Sequence, residues 1–360
     1  MLLAPPLNAR PPRDALVLDE ARLFAWLEAN IEGCAGGQMR VLQFKGGQSN
    51  PTYWIGVEGG GGGDLELVLR KKPPGKLLPS AHAIEREHRV LSALQGSPVP
   101  VPSVLALCED TSIIGTPFFV MRFVAGRIFW QATLPELGSM DDRRAVYAEY
   151  ARVLAAIHTV DYAAAGLSDY GKVGGFVARQ VERWSKQYEA SRTSDLPAME
   201  ALMRYLASNV PTRDETTLVH GDYRLDNLII TPSGEPRVIA TLDWELSTLG
   251  HPVSDLAYAC IGYHLNLPGR GGLAGVDLTP LGIPTEDELV HAYCKHAGRA
   301  GVEDWSYFLA FGIFRIAAIV QGVYRRSQQG NASSDEAASY GAAVGILSEL
   351  GCSLAGVRAS

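Results

Sequence analysis

Between Leu218 and Tyr258 the chain reads LVHGDYRLDNLIITPSGEPRVIATLDWELSTLGHPVSDLAY. Three short apolar runs, Leu218–Val219, Leu228–Ile230 and Val238–Leu242, border His220-Gly221-Asp222, Asn227 and Asp243 respectively. Flanks of this kind place each polar residue at the rim of a buried core. Gly234, between Pro232 and Pro236, supplies a turn that folds the second run back on the third. That hairpin is expected to bring Asn227 and Asp243 close together. An amide oxygen and a carboxylate are the hard oxygen ligands that Mg²⁺ takes alongside water and phosphates. Asp222, five positions before Asn227, is a carboxylate able to orient a hydroxyl and accept its proton. The D-x-x-x-x-N spacing followed by a further Asp suits phosphoryl transfer from ATP, where positioning and charge neutralisation supply most of the catalysis.

The elements that must hold these residues change character along the chain. Val41–Phe44, Thr52–Val57, Leu65–Arg70 and Phe118–Val124 are strand-like, with one amphipathic helix, Ala83–Leu94, among them. The turn Lys45–Asn50 joins the first two strands. The run of glycines at Gly59–Gly63 lacks the Lys-Ser/Thr pair of a phosphate loop, so it is expected to be a flexible hairpin tip in which nothing packs. Met121–Val124 is expected to act as a hinge. Beyond Gly126 the pattern is helical: Ala145–His158, Val177–Glu189, Met199–Leu206, Glu286–His296, Trp305–Arg326 and Asp335–Leu350. The expected fold is α+β and two-lobed, with a small β-rich lobe over 1–125 and a larger, mainly helical lobe over 126–360.

Composition sets limits on partners. The 360 residues are 47% hydrophobic and 20% charged, with a net charge of −7, an ordinary globular profile. The acidic balance argues against nucleic acid or an anionic membrane as a partner. Five scattered cysteines with no CxxC spacing suit a reducing compartment. The proline-rich N-terminus lacks the apolar core of a signal peptide. Phe308–Val320 is apolar but short and carries Arg315, so it reads as a core helix. The expectation is a cytoplasmic protein.

HGDYRLDN followed by VIATLDWELSTLGHPVSDLAY resembles the aminoglycoside phosphotransferase and choline kinase-like family, which shares the protein kinase fold. FKGGQSNPTY, LVLRKKPPG, LLPSAHAIEREHRVL and FGIFRIAAIVQGVYRR are similar to one branch, the kinase domains associated with acyl-CoA dehydrogenases. The resemblance covers about Phe44 to Arg326. It implies Asp222 as catalytic base, Asn227 and Asp243 as Mg²⁺ ligands, and ATP as phosphate donor. It places Gly47, Gln48, Ser49 and Asn50 in the loop over the nucleotide, with Val68, Met121 and Phe123 beside the adenine. Glu87 resembles the helix glutamate that pairs with a strand cation. The family's Lys is replaced here: strand alternation puts Arg70 on the face of Val68, and Lys72 shares that face. His251 stands where the family usually has Asp, and Asp255 keeps a supporting position.

The remaining polar residues admit plainer roles. His220 is read as structural, His158 as a buried or capping histidine, and Trp130, Trp184, Trp244 and Trp305 as packing anchors. Arg224 and Asp226 suit either substrate binding or a local salt bridge. Arg315 is expected to be paired in the core. The branch implies a small-molecule hydroxyl acceptor, a hydroxyacyl-CoA of the 4-hydroxyacyl type, and a functional link to an acyl-CoA dehydrogenase; an aminoglycoside is the lesser alternative. Arg70 and His251 together motivate a second reading, a nucleotide-binding module without transfer. A protein kinase is a third, disfavoured by the missing HRD, DFG and APE.

Overall fold

A computed structural model describes residues 3–13, 16–45, 50–73, 83–267, 271–328 and 339–358. Two compact units emerge: Met1–Arg127 with Leu228–Gly234 and Val238–Glu245, and the remainder. The first unit opens with β1 (Ala9–Arg10), α1 (Glu20–Asn30), β2 (Gln38–Phe44), β3 (Thr52–Gly60) and β4 (Gly63–Lys71). It continues through α2 (Ile84–Ala93), β5 (Val104–Cys108), α3 (Thr111–Ile114) and β6 (Phe118–Arg122). The six strands form one sheet in the order β1-β2-β3-β4-β6-β5, antiparallel throughout.

Period-two alternation divides this sheet. Leu65, Leu67 and Leu69 point into a core with Leu23, Leu27 and Ile31, leaving Val68 and Arg70 on the opposite face. Helix α1 corrects the expectation of a single helix among these strands. Its signal is Asp19, whose carboxylate accepts the Arg22 N–H at 3.1 Å, ahead of Leu23 and Leu27 one turn apart. The glycine run also differs from expectation. It does turn the β3–β4 hairpin, but a side chain at Gly60 would lie 2.1 Å from the Gly33 carbonyl oxygen, and Gly61 N–H donates to Ala35. The glycines therefore permit backbone docking rather than looseness.

The second unit begins with α4 (Met140–His158), α5 (Phe176–Ser191), α6 (Pro197–Ser208) and β7 (Thr217–Val219). The chain then returns to the first unit for β8 (Leu228–Ile230) and β9 (Val238–Thr241), an antiparallel hairpin with Leu228 opposite Thr241. Arg127 bridges to Ile230, which ties this hairpin to the segment after β6. Gly126 allows the approach, since a Cβ there would sit 2.4 Å from both Ile229 Cγ2 and the Ile230 carbonyl oxygen.

The second unit resumes with β10 (Thr248–Gly250), antiparallel to β7, and α7 (Pro252–Cys260). There follow β11 (Asn266–Leu267), β12 (Gly271–Gly272), α8 (Glu286–Ala297), α9 (Trp305–Gln328) and α10 (Ser339–Ala355). Helix α9 is long and apolar enough to cross a membrane by length and composition, yet 67% of its apolar window is buried inside the protein. It packs on α5, α6, α7 and α10, the core helix expected.

Candidate active site

In the second unit the HGD turn is fixed from below by α7. Both oxygens of the buried Asp255 carboxylate accept backbone N–H groups, from His220 at 2.7 Å and Gly221 at 2.9 Å. His158, the last residue of α4, lies 3.2 Å from the same carboxylate through Nε2 and 2.8 Å from the Tyr293 hydroxyl through Nδ1. Burial works against the Asp255 charge, but the hydrogen bonds and charge of His158 and the N–H of His220 outweigh it and hold the carboxyl below its ordinary value. Gly221, at φ +82, lies so close to Leu246 that a Cβ would be 2.6 Å from its carbonyl oxygen. This explains the glycine in the motif.

Asp222 projects from that turn. Its Oδ1 accepts the Tyr258 hydroxyl at 2.7 Å. Its Oδ2 lies 3.3 Å from the Arg224 guanidinium, which also pairs with Asp226 at 3.2 Å, so the local salt bridge is present. Asn227 donates from Nδ2 to the Asp222 carbonyl at 2.9 Å, a bond that does not use its amide oxygen. Arg315 donates to the Gly221 carbonyl at 2.8 Å and stands over the rings of Tyr258 and Trp184 at 5.0 and 5.8 Å. The expected core pairing of Arg315 is therefore with a carbonyl and two rings.

The first unit gathers a second group. Arg70 donates from one guanidinium nitrogen to Glu87 at 2.6 Å and from the other to Asp243 at 3.0 Å. Lys72 pairs instead with Glu85, so Arg70 takes the strand-cation position. Burial, opposed by Arg70 and reinforced by Asp243 and Glu245, pushes the Glu87 carboxyl up to about 7. Asn50 is buried and donates to Glu245 at 3.2 Å. Strand register pairs Val68 with both Met121 and Trp54, and the Phe123 ring stacks on Phe44 with centroids 6.5 Å apart. An apolar face is thus set beside Arg70. Gly47, Gln48 and Ser49 lie outside the described residues.

Asp243 has φ +64, a left-handed conformation unusual for a residue with a side chain. Asn227 directly precedes β8, and Asp243 is the second residue after β9, so the expected hairpin is present. Each residue, taken in its own unit, carries an oxygen of the kind a hard cation takes. Asp243 is one-third exposed, with Oδ1 on Arg70, and Asn227 offers a carbonyl oxygen.

A pocket of about 120 Å³ lies in the second unit, lined by Arg224, Asp226 and Tyr258 together with Trp130, Tyr147, Leu273 and Ile316. Trp130 is 51% exposed, so it is a pocket wall rather than a packing anchor. Sequence reasoning missed Tyr258 as a partner of Asp222. The available signal was its place one helical turn after Asp255, on the same side of α7.

Residues 40–305 match the Phosphotransferase enzyme family. The chain belongs to that family. It is 47% identical over 345 residues to mouse acyl-CoA dehydrogenase family member 10, covering 95% of this chain and 32% of that protein. It is 41% identical over 341 residues to human acyl-CoA dehydrogenase family member 11, covering 93% of this chain and 43% of that protein. This member of the family therefore spans about a third of the mouse relative and under half of the human one. A crystal structure from Ralstonia eutropha JMP134, described as a candidate aminoglycoside phosphotransferase, superposes with a TM-score of 0.85 at 46% identity, over 94% of this chain and 99% of that one. Choline kinase from Cryptosporidium parvum Iowa II, at 11% identity and a TM-score of 0.65 over 93% and 96% of the two chains, shares the fold. The fold is the two-lobed, kinase-like one expected.

Proposed function

We propose that this chain transfers the γ-phosphate of ATP to a hydroxyl carried on the apolar acyl portion of a small molecule. The observation that carries this reading is the Asp222 carboxylate, held by Tyr258, Arg224 and Asn227, the first two of which line an aromatic-walled pocket. In the proposed reaction the acceptor oxygen bonds to the γ-phosphorus and its proton passes to Asp222. The bond from that phosphorus to the β–γ bridging oxygen breaks, and its electron pair leaves with ADP. Arg70, anchored by Glu87, neutralises phosphate charge, while Val68, Met121 and Phe123 offer the adenine an apolar face. Asn227 and Asp243 would hold Mg²⁺, whose contribution when bound is to offset charge on the phosphates.

The pocket also bears on the acceptor. Among its described lining residues Asp226 is the single carboxylate, and it is paired with Arg224. A polycationic aminoglycoside would favour several unpaired carboxylates. Aromatic and aliphatic walls suit an acyl chain, which supports a hydroxyacyl-CoA acceptor and a functional link to an acyl-CoA dehydrogenase. Arg70 and His251, which motivated a non-transferring module, are both accommodated: Arg70 supplies the cation, and His251 caps α7 through Nδ1 as an aspartate would. The test is labelled-phosphate transfer from ATP across hydroxyacyl-CoA, amino-alcohol and aminoglycoside acceptors. Transfer to the first class is expected; Mg·ATP binding without transfer to any would favour the non-transferring module.

A further inference from the structure

We infer that Tyr258 is a positioning residue that locks the rotamer of Asp222, turning Oδ1 into α7 and leaving Oδ2 to face the acceptor hydroxyl. The inference rests on the phosphotransferase reading of Asp222.

The argument begins with α7, which grips the HGD turn at two points one helical turn apart. Asp255 holds its backbone through the N–H groups of His220 and Gly221, and Tyr258 holds its carboxylate at 2.7 Å. Tyr258 is itself immobilised. Its ring lies under the Arg315 guanidinium at 5.0 Å, and Arg315 is tied to the Gly221 carbonyl immediately before Asp222. Burial, reinforced by the neighbouring Asp222 charge, raises the phenol pKa, so the hydroxyl keeps its proton and acts as a donor. The two carboxylate oxygens are then unequal. Oδ1 has a short bond to a neutral donor, whereas Oδ2 has only longer contacts, to Arg224 at 3.3 Å and Asn227 at 3.4 Å. Both Tyr258 and Arg224 line the pocket. An acceptor hydroxyl entering there meets Oδ2 once Arg224 gives way, and needs no rotation of the carboxylate. Pre-setting that rotamer removes a reorientation from the reacting complex.

The test is a double-mutant cycle with Tyr258→Phe and Asp222→Asn, assayed for transfer to the best acceptor of wild type. Tyr258→Phe removes only the hydroxyl and keeps the ring beneath Arg315. It is expected to lower kcat about tenfold, the effect of losing a hydrogen bond to a charged group, with the KM for ATP unchanged. In the Asp222→Asn background the same change should have no further effect on residual transfer, because Tyr258 acts through that carboxylate. An unchanged kcat in an active enzyme, or equal losses in both backgrounds, would overturn the inference while sparing the phosphotransferase reading. A wild type that transfers phosphate to no acceptor would overturn both. Should Tyr258→Phe fold poorly, Tyr258→His, which keeps an N–H donor, is expected to exceed Tyr258→Met in kcat; equality would overturn the inference.

Discussion

Arg70 stands at the centre of the charge balance in the first unit, because its two terminal nitrogens serve different carboxylates, Glu87 and Asp243. An ammonium is a point charge and cannot reproduce that fork. Arg70→Lys is therefore expected to fold but to lose about tenfold in kcat/KM for ATP, measured by initial rates against ATP; wild-type kinetics would show that one contact suffices. Glu87 gives a pH signature. A carboxyl raised from its ordinary value, 4.5, to about 7 binds its proton more tightly when folded, so its contribution is complete below 4.5 and is lost as pH rises through about 7. Wild type is expected to lose stability relative to Glu87→Gln between about pH 5 and about pH 7.5 in denaturant titrations. Parallel behaviour of the two proteins would show that Arg70 keeps Glu87 ionised.

Two local backbone arrangements each depend on the residue type at one position. At the N-terminus of α7, His251 Nδ1 accepts the Val253 N–H at 3.3 Å while Nε2 lies 3.2 Å from the Arg213 carbonyl. Burial lowers its pKa, which keeps Nδ1 an acceptor. The ring also stacks on Phe308 at 4.7 Å. His251→Ala should cost about 1 kcal/mol or more from the lost cap, whereas His251→Asp keeps a capping oxygen and should cost less; equal losses in chemical denaturation would remove capping as the cause. Gly126 is the second case. A methyl group there meets the Ile230 carbonyl and Ile229 at 2.4 Å, so Gly126→Ala should destabilise the protein by roughly 1–3 kcal/mol. An unchanged melting temperature would show that the backbone gives way freely.

Across the whole molecule, the motif residues were legible because their chemistry demands fixed types at fixed spacing. Asp222, Asn227 and Asp243 fall on the loop and hairpin expected, and the strand period alone placed Arg70 with Val68 on one face. What escaped the sequence depends on tertiary approach. Helix α1 has one weak cap and two core leucines, too little periodicity to stand out beside the neighbouring strands. The docking of the glycine run on Gly33–Ala35 leaves no side-chain pattern to read. Tyr258 became visible as a partner of Asp222 only when α7 was seen beneath the HGD turn. Trp130, whose type suggests packing, belongs to the pocket because the surrounding walls leave it half exposed.

The proposed function turns on Asp222 as the proton acceptor for a hydroxyl. The direct measurement is transfer of labelled γ-phosphate from Mg·ATP to a panel of hydroxyacyl-CoA acceptors by wild type and Asp222→Asn, with ATP binding followed in parallel. Wild type should label the acceptor, and Asp222→Asn should lose at least about 100-fold in rate while binding ATP as before. Undiminished transfer by Asp222→Asn would contradict the assignment of the base.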